Sequence, residues 1–238
     1  MGRVSFENFG RLATSEISWT ELAGRYSFQD STEPYIVADI AGKLRLGPSN
    51  TLLEIGCGAG NLLISLARLV GSAIGIDHEN LLRKLGERSS SIRRLPGNFL
   101  DIQISERFSR ILIYSVLHYL ANETEMTQFV MKAAGLLAPQ GLLLIGDIAN
   151  VDKKRAFETS PRGRDFLLDW RRRVSEGIVV PNPDDPDRIT IDDGVLDRLQ
   201  SRLESVGFEV MRLAQPEGLP MCYTREDMLV SHAMRPRR

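Results

Sequence analysis

The segment Leu52-Leu-Glu-Ile-Gly-Cys-Gly-Ala-Gly-Asn61 concentrates residue types able to hold an anionic ligand. An apolar run leads into Gly56, Gly58 and Gly60 at alternate positions, and a helical pattern follows at once. Glycine admits positive φ and lets a ligand approach the backbone without a Cβ in the way. The helix start beyond the loop offers unpaired N–H groups and a positive dipole end. The loop departs from G-x-G-x-x-G, because its third glycine comes one residue early, and G-x-x-x-x-G-K-[ST] is absent. Asp77, in Gly75-Ile-Asp77, ends the next apolar run roughly 20 residues on, the spacing of a carboxylate that reaches ribose hydroxyls. Loop and acid together predict an adenosine-type ligand. The competing reading makes the glycines a tight turn and Asp77 a helix cap.

These residues need a sheet to position them. Residues 51–55, 73–76, 110–115 and 142–148 are nearly continuous apolar runs, as parallel strands must be when helices cover both faces. Between them, residues 61–70 place Leu62, Leu63, Leu66 and Leu69 at helical spacing, and residues 125–137 do likewise with Met126, Phe129, Val130 and Ala133. Pro139-Gln-Gly141 is read as the stop of that second helix. Strands alternating with helices predict right-handed βαβ units in a doubly wound α/β fold. Residues 1–50 read as a helical lead-in, with Trp19, Leu22, Tyr26, Tyr35, Ile36, Ile40 and Leu44 at roughly helical spacing. Residues 151–193 interrupt the rhythm with a basic cluster and several aromatics, and read as an insertion or lid. A helix over 194–206 and strands over 208–213 and 225–232 complete the chain, with a frayed tail at 236–238.

Composition narrows the partners. The chain has 238 residues, 42% hydrophobic and 26% charged, which are ordinary globular values. Its net charge of −1, from 30 basic and 31 acidic residues, gives no electrostatic case for nucleic acid or an anionic membrane. Cys57 and Cys222 cannot build a disulfide framework or a four-cysteine zinc site. No run approaches the 18 apolar residues of a membrane span, and residues 1–10 lack the apolar stretch of a signal peptide. A soluble cytoplasmic protein is expected.

At the residues quoted above the chain resembles the class I S-adenosylmethionine-dependent methyltransferases. Glu54-Ile-Gly-Cys-Gly-Ala-Gly60 is similar to that family's first motif, E/D-x-G-x-G-x-G, and Ile76-Asp77 to its second. Gly97-Asn98-Phe99-Leu100-Asp101, Ser115-Val-Leu-His-Tyr119 and Leu137-Ala-Pro-Gln-Gly-Leu142 resemble later motifs in the family's order. The resemblance covers roughly residues 45–150 and implies a mostly parallel Rossmann-like sheet of about seven strands with the C-terminal strand antiparallel. It implies S-adenosyl-L-methionine as cofactor. The loop backbone, with Cys57 in it, would meet the methionine portion, and Glu54 would steady the loop or reach the methionine amine. Asp77 would hold the ribose, with His78 beside the adenine. Asn98 and Phe99 would flank the adenine edge, with Asp101 as the substitute where the family often has Asp in place of Asn98. Ser115 would touch the cofactor near its reactive end.

Methyl transfer asks the protein to align a nucleophile and, for a hydroxyl acceptor, to remove a proton. His118 is the first base candidate, because a histidine just beyond strand four lies over the edge where ligands bind in open α/β sheets. The competing reading packs it beside Leu117 and Tyr119. Asp147, ending strand five, is the second candidate. No metal site is expected from the dispersed His78, His118 and His232. A small-molecule or glycan-intermediate acceptor, methylated on oxygen or nitrogen, is the expected substrate. The alternatives are a methyltransferase-fold adaptor without turnover and an NAD(P)-dependent oxidoreductase.

Overall fold

A computed structural model of the chain describes residues 3–14, 22, 31–179 and 188–233. Trp19, Tyr26, the proline-bearing segment 181–186 and the tail 236–238 lie outside the described residues. The strands are β1 (Thr51–Ile55), β2 (Ser72–Asp77), β3 (Arg93–Pro96), β4 (Phe108–Tyr114), β5 (Leu137–Ala149), β6 (Phe208–Ala214) and β7 (Arg225–His232). They form one 7-stranded sheet in the order β3-β2-β1-β4-β5-β7-β6. The first five run parallel, and β7 is antiparallel to both β5 and β6. The expected doubly wound, mostly parallel sheet with an antiparallel C-terminal strand is the architecture found.

The helices are α1 (Arg3–Leu12), α2 (Glu33–Leu44), α3 (Leu63–Ala67), α4 (Glu79–Arg88), α5 (Glu123–Ala134), α6 (Val151–Thr159), α7 (Pro161–Ser175) and α8 (Asp193–Glu204). Alternate residues of the central strands feed two apolar layers, as the period of a strand requires. Leu53, Ile55, Ile111, Ile113, Leu143 and Ile145 meet α5 and α8 on one face. Leu52, Leu112, Leu144 and Tyr114 meet α2, α3 and α4 on the other. Side-chain caps fix several helix starts: Asn122 on α5, Asn150 on α6, Ser160 on α7 and Asp192 on α8 each accept backbone N–H bonds from the first turn.

Three expectations on elements are corrected. The helix read over 125–137 ends at Ala134 with Gly135 as its C-cap, so Pro139-Gln-Gly141 lies inside β5. There Gln140 takes φ 61 beside a shift of register against β4, which lets an extended strand carry a proline. Regular helix after the glycine loop is confined to Leu63–Ala67. Tyr35, read as part of an apolar face, is 64% exposed, whereas Ile36, Ile40 and Leu44 are buried as expected.

Register aligns the functional edge. Ile55 pairs with Ile76 and Ile113, Ile113 with Ile145, and Tyr114 with Gly146. Gly56, Asp77, Ser115 and Asp147 are therefore neighbours along the C-terminal edge of four adjoining strands, where ligands bind in this architecture.

Candidate active site

The three glycines of the loop do different things. A Cβ on Gly56 would meet Val116 Cγ2 at 2.5 Å, and one on Gly60 would overlap Leu85, so these two permit close packing within the protein. Gly58, at φ 57, has nothing within 4 Å of where its Cβ would stand and lines an open cleft. A side chain there would project into ligand space. The loop is stitched to β2 by bonds from Gly56 N and Cys57 N to Ile76 O, at 2.8 and 3.2 Å. Arg88 reaches back from α4 to Ala59 O and Asn61 Oδ1, both at 2.9 Å.

Asp77 is buried at the cleft wall. Its Oδ2 accepts from Gly58 N and its Oδ1 from His78 N, each at 2.7 Å. Burial raises its carboxyl above the usual range, and these two N–H bonds work against the rise. Glu54, Cys57 and Ser115 line the same cleft, with Tyr114, Val116 and Tyr119. Burial, followed by the Asp77 and Glu54 carboxylates, pushes the Cys57 thiol well above its ordinary value, so it stays protonated.

The cleft continues as a strip. A shallow pocket shares Gly56, Asp77 and Val116 with it and adds Gly97, Phe99 and Phe129. An outer cavity of about 640 Å³ shares Tyr119 and holds Asn98 and Asp101. Successive turns of α1 roof all three: Phe9 over the cleft, Phe6 over the shallow pocket, and Arg3, Val4 and Ser5 over the outer cavity. With Phe9 and Leu22 drawn in, the cleft keeps only about 60 Å³ of free volume.

His78 is the residue that latches this roof. Its Nδ1 accepts from Asn80 N and caps α4, its ring packs at 5.1 Å from Phe6 and against Gly10, and Glu7 lies 3.7 Å from its Nε2. The ring faces α1 and does not line the cleft. Asn98 uses Oδ1 to hold Leu100 N at 3.2 Å, while Asp101 is exposed near Arg3. Neither lines the cleft that holds Asp77; Phe99, one residue from Asn98, is the member of its motif that lies next to it.

Ser115 and Asp147 form the most unusual pair. Both are non-glycine residues in the left-handed region, at φ 58 and φ 57, on adjoining strand ends. Ser115 Oγ donates to Asp147 Oδ2 at 2.5 Å, and Arg225 Nε stands 3.6 Å from Asp147 Oδ1. Backbone strain of this kind costs roughly 1–3 kcal/mol per residue and persists where the surroundings over-determine it. Here the buried Asp227 accepts from Asp147 N at 2.9 Å, and is itself held by Lys43 at 2.6 Å and Gln215 at 3.0 Å. Asp227, Lys43 and Gln215 were not legible as site support in the sequence; no short motif links positions so far apart.

His118 falls in the short turn after β4 but lines none of these pockets. Burial, then the charges of Arg225 and Arg188, lowers its pKa to about 3. An imidazole so reluctant to take a proton is a poor general base; Asp147 does not line these pockets either, and reaches the cleft only through its bond from Ser115. Among the described residues no group of three His, Cys, Asp or Glu side chains could hold a metal, and no helix is long and apolar enough to cross a membrane.

The fold is a doubly wound α/β domain with its cleft at the C-terminal ends of the parallel strands. Residues 53–143 match the family model described as a methyltransferase domain. It is 27% identical over 153 residues to a ubiquinone biosynthesis O-methyltransferase of Methylobacterium sp. (strain 4-46), covering 59% of each chain. The same-named protein of Bartonella tribocorum is 24% identical over 181 residues, covering 69% of this chain and 70% of that one. The chain thus spans 59% of the length of the Methylobacterium relative. Among solved structures, the N-methyltransferase NodS from Bradyrhizobium japonicum WM9, in complex with S-adenosyl-L-homocysteine, superposes with TM-score 0.61 at 17% identity over 96% of this chain and 98% of that one. Phosphoethanolamine N-methyltransferase 1 of Haemonchus contortus superposes with TM-score 0.71 at 16% identity, covering 99% of this chain and 50% of that one.

Proposed function

We propose that this chain is an S-adenosylmethionine-dependent methyltransferase, a single domain that transfers a methyl group to oxygen or nitrogen of a small-molecule acceptor in the cytoplasm. One observation carries the reading: Gly58, open to the cleft, is tied by its own N–H to the buried Asp77 carboxylate. A loop that leaves backbone exposed beside a desolvated acid suits a ligand with a charged end and a ribose. When bound, the cofactor supplies a methyl group on a sulfonium, whose carbon is attacked as its bond to sulfur breaks.

The chain's residues divide the remaining work. Glu54 and the loop 56–60 receive the amino-acid end, Asp77 accepts from the ribose hydroxyls, and Phe99 and Val116 form the adenine wall. Asn98 and Asp101 shape the outer end of that strip. Ser115 marks the reactive end, and Asp147, with a carboxylate oxygen beside it, takes the acceptor's proton. Residues 1–50 serve as a cap and 151–193 as the wall over the acceptor. Named relatives that are O-methyltransferases and structural neighbours that are N-methyltransferases support either acceptor atom. The absence of a basic surplus supports a small acceptor over nucleic acid.

The test is incubation with S-adenosylmethionine and a panel of phenols, catechols and primary amines. S-adenosylhomocysteine should form together with a methylated product. Tight cofactor binding without product from any acceptor class would favour a partner protein that keeps the fold.

A further inference from the structure

A second cavity, of about 290 Å³, lies under α6 and α7, at the far side of Asp147 from the cleft. Its walls include Val151, Phe157, Phe166, Leu167 and Met221. Its floor carries Arg225, whose side chain is only 17% exposed. The Arg225 guanidinium has five donors to place. Its Nε is buried and makes no hydrogen bond among the described residues. Beyond the 3.6 Å approach to Asp147, it has a contact from Nη2 to Met221 Sδ at 4.0 Å. The guanidinium therefore runs from Asp147 to a cavity-lining methionine, with donors still unspent. The other cation of the lining, Lys154, is engaged with Glu158 at 3.9 Å.

We infer that this cavity holds the methyl acceptor, and that the acceptor is a planar apolar molecule of about two rings carrying an anionic oxygen that Arg225 reads. The inference rests on the methyltransferase reading for the word acceptor. Size sets the ring count, because a cavity of about 150 Å³ takes up a single benzene ring. Aromatic walls suit a flat ligand: Phe157 stacks on Tyr223 at 5.3 Å and packs 5.8 Å from Phe166. A buried guanidinium with spare donors suits a carboxylate, which takes two parallel N–H bonds. Position supplies the link to chemistry. Asp147 accepts from the Ser115 hydroxyl of the cleft with one oxygen and lies 3.6 Å from Arg225 of the cavity with the other, so one carboxylate touches a lining residue of each.

Two probes test this on the full chain saturated with S-adenosylhomocysteine: 2-naphthoate and its neutral counterpart 2-naphthalenemethanol, each titrated calorimetrically. Naphthoate should bind at least about tenfold more tightly, the size of one charge-assisted bond pair. Arg225→Met should abolish that preference while leaving the alcohol within about twofold, and Arg225→Lys should retain part of it. Phe166→Ala, on a side chain that is 45% exposed, should weaken both probes alike. Equal affinities on the unaltered protein, or a preference for naphthoate that survives Arg225→Met, would overturn the inference and leave Arg225 as a fastener of Asp147. S-adenosylhomocysteine titrated into the same preparations reports separately on the cofactor site. Equal affinity for the two probes on the unaltered protein, with that binding intact, contradicts the cavity assignment alone.

Discussion

At the scale of single residues, the cleft depends on positions where an added side chain would enter ligand space. Gly58 is the sharpest case. Valine there must adopt φ near 57, which β-branched side chains resist, and its methyl groups would enter the cleft. Gly58→Val should therefore weaken S-adenosylhomocysteine by at least about tenfold in calorimetry, while Gly58→Ala should weaken it less. Normal binding by the valine variant would reduce the loop to a turn. His118 makes a different prediction. Its ordinary pKa of 6.5 falls to about 3 in the folded chain. Below about pH 6.5 the unfolded chain takes up a proton that the folded chain refuses until about pH 3, so this contribution to stability is complete above pH 6.5 and is lost as pH falls. His118→Gln removes the penalty. Thermal unfolding from about pH 7.5 to about pH 5 should show the variant gaining on the parent as pH falls. A constant difference between the two would mean that His118 titrates normally. Position just after strand four pointed His118 toward the edge, but burial and two arginines distant in sequence decide its chemistry.

Elements were legible where apolar pattern speaks and silent where packing decides. β1, β4 and the core of β5 announce themselves because both faces are buried. β3, Arg93-Arg-Leu-Pro96, is an edge strand with one half-buried residue and no apolar run to betray it. The insertion was visible as a break in rhythm, yet its two helices depend on the Asn150 and Ser160 caps. α1 carries the functional consequence at this scale. Phe9 packs edge-on against Tyr119 at 4.9 Å, and Asn80 holds Gly10 O at 3.0 Å, closing the cleft to about 60 Å³. A helix packed over the cleft in this way is placed to gate association. Phe9→Ala should raise the association rate of S-adenosylhomocysteine several-fold in stopped-flow measurements. Hydrogen exchange should change across residues 3–14 on binding. An unchanged rate with unchanged exchange would make α1 a fixed wall.

Across the whole molecule, one buried polar network joins helix α2 and strand β7 to the strained edge. Lys43 on α2 binds Asp39 at 2.5 Å and Asp227 on β7 at 2.6 Å, and Asp227 fixes the backbone of Asp147. Asp227 is fully buried, so removing its cation leaves a charge with only neutral donors. Lys43→Met should cost about 3 kcal/mol by denaturant unfolding, in the range for breaking a buried ion pair. A loss no larger than that of an exposed pair, below about 1 kcal/mol, would show that the network is dispensable. Lys43 and Asp227 lie 184 positions apart, and only the assembled sheet brings them together.

Everything proposed for the edge depends on the glycine loop and Asp77 acting as one cofactor site. The deciding measurement is calorimetric titration of S-adenosylhomocysteine into the parent chain and its Asp77→Ala variant, with NAD as the comparison ligand. The parent should bind one equivalent and ignore NAD. The variant should bind at least about tenfold more weakly, because each charge-assisted ribose bond is worth roughly 1.5–3 kcal/mol. Equal affinity in parent and variant would contradict the ribose assignment, and a parent that binds NAD but not S-adenosylhomocysteine would contradict the cofactor itself.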